Sequence, residues 1–197
     1  MAKHNKTNKS SGLIRIIAGK WRGRKINFPD VQGLRPTPDR VRETLFNWLQ
    51  NVIGDARCLD LFAGSGALGF EAASRGAAQI DLVELDSSAV KSLQQNAQLL
   101  SADNCQIVKS TALGFLSTSV QRYDIVFIDP PFQANMWTEV ADALMRNGLL
   151  ADNAHIYLEC PKKHDLANLP PQWKLLKDKV AGDVRYCIFI NELGDDK

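Results

Sequence analysis

The 197-residue sequence has little with which to build a metal centre or a disulfide framework. Its four cysteines (Cys58, Cys105, Cys160, Cys187) lie far apart with no C-x-x-C spacing, and its three histidines (His4, His155, His164) do not cluster with them. That pattern excludes the usual zinc signatures and favours reduced thiols in a cytoplasmic protein. No apolar run is long enough to span a bilayer, and residues 1–12 are polar and basic without the apolar core of a secretory signal, so a soluble protein with no membrane partner is expected. Internal repeats and low-complexity segments are also lacking. Nothing signals an oligomer, which leaves a monomer as the default.

Acids are scarce at the front of the chain. Residues 1–42 hold eleven Lys and Arg against Asp30 and Asp39, a net +9, whereas the remaining residues carry −7. A cationic module on an acidic body points to a polyanion, because phosphates reward clustered Lys and Arg through counterion release; a solvated basic tail is the competing reading. Residues 1–12 have almost nothing to bury and are expected to be a mobile tail. Leu13–Ile17 and Arg24–Phe28 are β-prone runs separated by Gly19, Trp21 and Gly23, which predicts a small basic hairpin. Arg15, Lys20, Arg22, Arg24 and Lys25 would meet phosphates there and Trp21 would stack on a base; alternatively, Trp21 packs on the main domain.

Pro29–Pro38 reads as an irregular linker. Thr37 is the expected N-cap of a helix that has Pro38 at its first position, with Val41, Leu45, Trp48, Leu49 and Val52 facing inward. Arg40 and Glu43 are placed for an i,i+3 ion pair. Residues 13–52 thus form an extension, and 53–197 the main domain. In that domain strands are expected at 56–62, 79–84, 105–108, 123–129 and 155–160, and helices at 67–75, 87–100, 111–120 and 135–147. A hairpin over 173–180 and 184–190 closes the chain. Near-continuous apolar strands alternating with helices predict an α/β fold, a Rossmann-like doubly wound sheet of seven mostly parallel strands with helices on both faces and an antiparallel C-terminal hairpin.

In such a sheet the ligand lies outside the carboxyl ends of the strands, which singles out Asp60, Glu84, Ser110, Thr111 and Asp129. Gly64-Ser-Gly-Ala-Leu-Gly69 is formally a G-x-G-x-x-G, and Glu84 follows Gly64 by twenty residues, where a ribose-binding acid belongs. An NAD oxidoreductase must therefore be weighed. Asp60 argues against it, because a carboxylate at that strand end repels a pyrophosphate and attracts a ligand carrying a cation, as S-adenosylmethionine does. The competing roles are structural: Asp60 could cap a backbone turn, and Asp86 is the expected N-cap of the next helix.

Asp129-Pro130-Pro131-Phe132 follows the buried run Tyr123–Ile128. Two prolines fix the directions of the Asp129 carboxylate and the Pro130 carbonyl. Two such acceptors can hold both hydrogens of an exocyclic nucleobase amine and localise its lone pair for attack on a methyl group. Phe132 would stack on the unstacked base.

These motifs, Leu59–Gly66, Val83-Glu84 and Asp129–Phe132, resemble those of class I S-adenosylmethionine-dependent amino-methyltransferases. The segments Arg15–Lys25 and Leu34–Asn47 are similar to those of the RsmD family of bacterial 16S rRNA guanine-N2 methyltransferases, and the resemblance runs from about Leu13 to Ile190. It implies methylation of the 2-amino group of one guanine, position 966 by the rRNA convention, on a small ribosomal subunit or its assembly intermediate. It implies that Asp129–Phe132 hold the amine, that Asp60, Phe62, Gly64, Gly66, Glu84, Leu85, Thr111 and Ala112 hold the cofactor, and that Arg35, Pro36, Thr37 and Arg40 line the neighbouring side. One departure is Ser110-Thr111-Ala112, where many class I enzymes have an Asp for the cofactor adenine; the Thr111 hydroxyl or the backbone would read it instead. The alternatives are a DNA adenine-N6 methyltransferase, which can use the same loop, and a non-catalytic RNA-binding assembly factor.

Overall fold

A computed structural model describes residues 11–29 and 36–192. The expected tail lies almost wholly outside the described residues, as does most of the linker. Strands β1 (Ser11–Arg15) and β2 (Lys25–Pro29) form the antiparallel hairpin, followed by α1 (Asp39–Trp48). The main domain then runs β3 (Arg57–Asp60), α2 (Ala67–Ser74), β4 (Gln79–Glu84), α3 (Ser87–Leu100), β5 (Cys105–Lys109), α4 (Ala112–Thr118), β6 (Tyr123–Ile128), α5 (Trp137–Arg146), β7 (Leu150–Pro161), β8 (Trp173–Ala181) and β9 (Val184–Asn191). The seven strands are ordered β5-β4-β3-β6-β7-β9-β8. Five are mutually parallel, and β9 is antiparallel to both of its neighbours.

Alternation along the strands divides the core between two faces. Cys58, Ile80, Leu82, Ile125, Phe127, Tyr157 and Ile188 pack with α1, α2, α3 and the hairpin. Leu59, Val83, Val126, Ile128, Ile156, Leu158 and Phe189 pack with α4 and α5. The strand order reverses between β3 and β6, so the crevice at their carboxyl ends is the topological switch point.

Strand β4 and helix α3 fall where the sequence put them. Asp86 caps α3 as expected, accepting the amides of Ser88 and Ala89. Other ends move for local reasons. Thr37 does not cap α1: Pro38, extended at ψ 146°, holds that position, and its carbonyl accepts the Val41 and Arg42 amides, so the helix begins one residue late. Val52 is exposed because α1 stops at Trp48, and the buried stripe is completed by Arg42 and Phe46. The ion pair on this helix joins Arg42 to Asp39 at 2.6 Å, while Arg40 and Glu43 point to solvent. Strand β1 ends at Arg15 instead of Ile17, because the Ile17 and Ala18 amides turn away to Glu71 at 2.8 and 3.0 Å.

That turn fixes the extension to the domain. Glu71 is fully buried on α2 and also receives Arg75 Nε at 2.7 Å, with Arg42 Nη1 at 3.6 Å. Ser74 completes the seam, its hydroxyl donating to the Ala18 carbonyl and accepting the Trp21 amide, while its carbonyl accepts the Lys20 amide. Gly19 makes the approach possible. Its φ is +81°, and a Cβ there would sit 1.8 Å from the Ser74 carbonyl oxygen. Trp21 is consequently 5% exposed and belongs to the core, so the expectation of a base-stacking indole is corrected: the backbone bonds on either side draw the ring inward. Truncating Glu71 would strand buried guanidinium and amide groups without their acceptor. Glu71→Ala should cost about 3–5 kcal/mol of unfolding free energy, read from urea denaturation, with Arg75→Ala at a partly exposed partner costing less.

Candidate functional site

The glycine loop leaves β3 through Leu61 and Phe62 and enters α2 at Gly66. Gly64 and Gly66 have φ of +48° and +79°, a region open to glycine and strained for other side chains. The loop is held by its own backbone, with Ala63 donating to Val83 and Gly66 to Ala63. Every residue of α2 is buried, which locks the start of the helix in place.

Four acids stand at the carboxyl ends of the central strands. Asp60 pairs in register with Phe127, and Phe127 with Tyr157; stepping two residues along β6 and β7 reaches Asp129 and Glu159. Side chains two residues apart share a face, so Asp60, Asp129, Glu159 and, beside Leu82, Glu84 all project to the side covered by the hairpin and α1. Glu84 is strongly engaged by backbone: Oε2 accepts the Gly64 amide at 2.8 Å, and Oε1 accepts Leu85 and Asp86 at 2.8 and 2.7 Å. A carboxylate has about four lone-pair sites, so acceptor capacity remains. Asp60 is 3% exposed and Oδ2 accepts the Gly69 amide at 3.1 Å, the turn-capping role weighed from the sequence.

Mutual repulsion marks this crevice. Burial pushes the Asp60 carboxyl up to about 7, with the Glu84 charge adding to the rise and the amides of Gly69 and Phe62 opposing it. Burial likewise raises Asp129 well above the ordinary carboxylate range, followed by the charges of Glu159 and Asp60. Such a site holds negative charge at a cost and gains from a cation nearby. Pyrophosphate fits this donor set poorly; a sulfonium with an α-ammonium fits it well.

Asp129 is half-buried and Pro130 buried, whereas Pro131 and Phe132 are exposed. Phe132 opens a 3₁₀ turn through Ala134, with its ring 6.0 Å from Trp137, which in turn lies 4.3 Å from His164. Within four residues the corner thus carries a half-buried carboxylate, a buried proline and an exposed aromatic ring. Among the remaining cofactor candidates, Phe62 is half-buried, Leu85 is 60% exposed and Ala112 is buried. Thr111 caps α4, its hydroxyl accepting the Gly114 amide at 3.0 Å. That bond uses one lone pair of the hydroxyl, which keeps its O–H and a second lone pair.

On the extension, Arg15, Lys20, Arg22, Arg24 and Lys25 are exposed together, with Lys20 Nζ 5.5 Å from the Trp21 ring and Arg24 donating to the Leu99 carbonyl. Thr37 is buried and Arg40 exposed. Arg35 lies outside the described residues. Among the described residues no group of three or more His, Cys, Asp or Glu could hold a metal ion, and no helix is long and apolar enough to cross a membrane.

Sequence reasoning missed Glu159, Tyr157, Arg42 and Glu71. Glu159 carried a usable signal, since it is an acid near the carboxyl end of an apolar strand, like Asp60 and Asp129. The other three carried none beyond their residue type.

Comparison with known proteins agrees with this fold. A family model described as conserved hypothetical protein 95 matches residues 14–190. The ribosomal RNA small subunit methyltransferase D of Escherichia coli K12 is 51% identical over 92% of each chain, and the Haemophilus influenzae protein of the same name is 44% identical over 94% of this chain and 97% of its own. A solved putative methyltransferase from Escherichia coli superposes with a TM-score of 0.86 at 49% identity, covering 92% of this chain and 99% of the other. The chain therefore belongs to the ribosomal RNA small subunit methyltransferase D (RsmD) family.

Proposed function

We propose that this protein transfers a methyl group from S-adenosylmethionine to the exocyclic N2 amine of one guanine of 16S rRNA, position 966 by the rRNA convention, within the small ribosomal subunit or its assembly intermediate. The observation that carries the reading is the placement of Asp129–Phe132 in an acidic crevice beside the glycine loop, on the face flanked by an exposed basic hairpin. Family membership supports the substrate class.

S-adenosylmethionine, when bound, supplies a methyl group whose bond to sulfur breaks with the electron pair left on sulfur. Asp60 and Glu84 provide negative charge toward its cationic end and acceptors for its ribose hydroxyls. The Asp129 carboxylate and Pro130 carbonyl accept the two N2 hydrogens, turning the nitrogen lone pair out of conjugation and toward the methyl group. As the N–C bond forms, nitrogen becomes acidic, and one of its protons passes to Asp129. Phe132 holds the base in its plane. Arg15, Lys20, Arg22 and Arg24 contact phosphates, which positions the RNA without reading its sequence.

Incubation with labelled cofactor and small subunits lacking the modification tests the reading: label at guanine N2 is expected, while label only in duplex DNA adenine, or none, overturns it. Asp129→Ala should lower transfer by at least about 10²-fold with RNA binding retained; full activity would remove Asp129 from the chemistry. Charge reversal at Arg22 and Arg24 should weaken RNA binding and reduce the slope of log K against log salt by about two, leaving cofactor affinity alone, as read by filter binding across a salt series. The pH dependence has a defined sign. Below about 7 Asp60 is protonated and neutral, and a cation favours its ionised form, so cofactor binding should release a proton and tighten as pH rises through about 7. Calorimetry in buffers of different ionisation enthalpy measures that proton, and its absence would place Asp60 outside the cation's reach.

A further inference from the structure

We infer that Glu159 is a positioning residue for the methyl transfer: its buried carboxylate, held by Tyr157 and Trp137 in the register position beside Asp129, keeps Asp129 a strong proton acceptor. The inference rests on the proposed reaction and extends it to a residue outside the Asp-Pro-Pro-Phe corner.

Glu159 lies near the carboxyl end of β7, a strand that pairs in parallel with β6 through Ile128 and Leu158. Asp129 and Glu159 are the residues that follow this last pair, and the Glu159 charge reaches Asp129. Glu159 is 7% exposed, and both of its polar parts are fixed: Oε2 accepts the Tyr157 hydroxyl at 2.8 Å, and its carbonyl accepts Trp137 Nε1 at 2.8 Å. Trp137 also stands behind Phe132. The same indole thus braces the base-stacking ring and the strand that carries Glu159. A buried carboxylate without a cationic partner is destabilising, and no ion pair of Glu159 exists among the described residues. Burial raises the Glu159 carboxyl above the ordinary carboxylate range, the Tyr157 hydroxyl opposes that rise by favouring the charged form, and the Glu159 charge acts on Asp129.

The groups that bear on this pair come from every neighbouring element. They are Asp60 on β3, Glu84 acting on Asp60 from β4, Tyr157 on β7, and Tyr186 on β9, paired in register with Glu159. On α1, Arg42 is committed to Asp39 and Glu71, and His164 packs on Trp137. None of these neutralises the pair. When N2 sheds its proton the bond to nitrogen breaks, the electron pair stays on N2, and the proton bonds to an Asp129 oxygen. Adjacent negative charge on Glu159 makes that acceptor more basic than an isolated carboxylate.

The isosteric variant Glu159→Gln removes the charge and keeps the shape. In the wild type, activity falls on the acid side as Asp129 becomes protonated. In Glu159→Gln that limb should move to lower pH by about one unit or more, and the plateau kcat should fall by about tenfold, with KM for cofactor and for small subunits unchanged. Glu159→Asp, which retains a charge, should keep the limb near its wild-type position. Carbon-13 NMR titration of the Asp129 carboxyl in the free protein supplies a readout independent of substrate, with a lower midpoint expected in Glu159→Gln. An unshifted carboxyl midpoint, or a loss of kcat with an unmoved acid limb, overturns the inference. If the wild type transfers no methyl to guanine N2, the proposed reaction fails by itself, and the carboxyl titration still decides whether Glu159 tunes Asp129.

Discussion

One buried carboxylate, Glu71, ties the two parts of this molecule together. It accepts the Ile17 and Ala18 amides from the extension and faces Arg42 of α1 and Arg75 of its own helix. Buried charges are tolerated when paired and hydrogen-bonded, and here the pairing itself is the docking of one module on the other. The helix that carries Glu71 begins at the glycine loop, so within eight residues α2 goes from the cofactor side of the sheet to the seam of the extension. Because every α2 residue is buried, neither end can shift alone. The rigid distance between the cofactor loop and the basic hairpin follows from that packing.

A second constraint acts at the strand ends. Asp60, Glu84, Asp129 and Glu159 share one face, where burial raises Asp60, Asp129 and Glu159 above ordinary carboxylates and neighbouring negative charge adds to the rise at Asp60 and Asp129. The fold favours the protonated form of each raised acid. Their contribution to stability is therefore fully present below the ordinary carboxylate range and is lost as pH rises through the folded values, the reverse of a salt-bridged acid. Sites that work against stability in this way are expected where chemistry needs them. The glycine loop and the DPPF corner are backbone solutions that keep these side chains pointed at one place despite the repulsion.

Most of the architecture was legible because it is written in local pattern. The apolar run Gln79–Glu84 and the periodic, Asp-capped segment Ser87–Leu100 needed no tertiary information. Asp60, Glu84 and Asp129 were legible for another reason: an acid ending a buried strand in an α/β pattern has a known place in space. Trp21 was ambiguous because an aromatic between basic residues can stack outward or pack inward, and the choice is made by Ser74 and Glu71, at least fifty residues away. Glu71 and Arg42 read in sequence as ordinary helix-surface charges. Their burial depends on the extension lying over α2, and no periodicity within either helix reports that. The misplaced cap at Thr37 has the same character, since Pro38 suits both the capping position and the first turn.

The acidic face also explains why the basic extension is a separate module. Lysines or arginines placed in the crevice itself would neutralise Asp60, Glu84 and Asp129 and remove the attraction for a cationic methyl donor. In the proposed reaction, polyanion contacts are then made from outside the crevice, by exposed residues whose charge water and salt screen. The hairpin satisfies that demand: Arg15, Lys20, Arg22 and Arg24 are solvent-exposed, while the guanidinium of Arg42, which comes closest to the core, is bound by Asp39 and Glu71. In the proposed reaction the exposed cations of the hairpin and the acids of the crevice therefore have separate electrostatic tasks, and the Glu71 seam holds the two modules together.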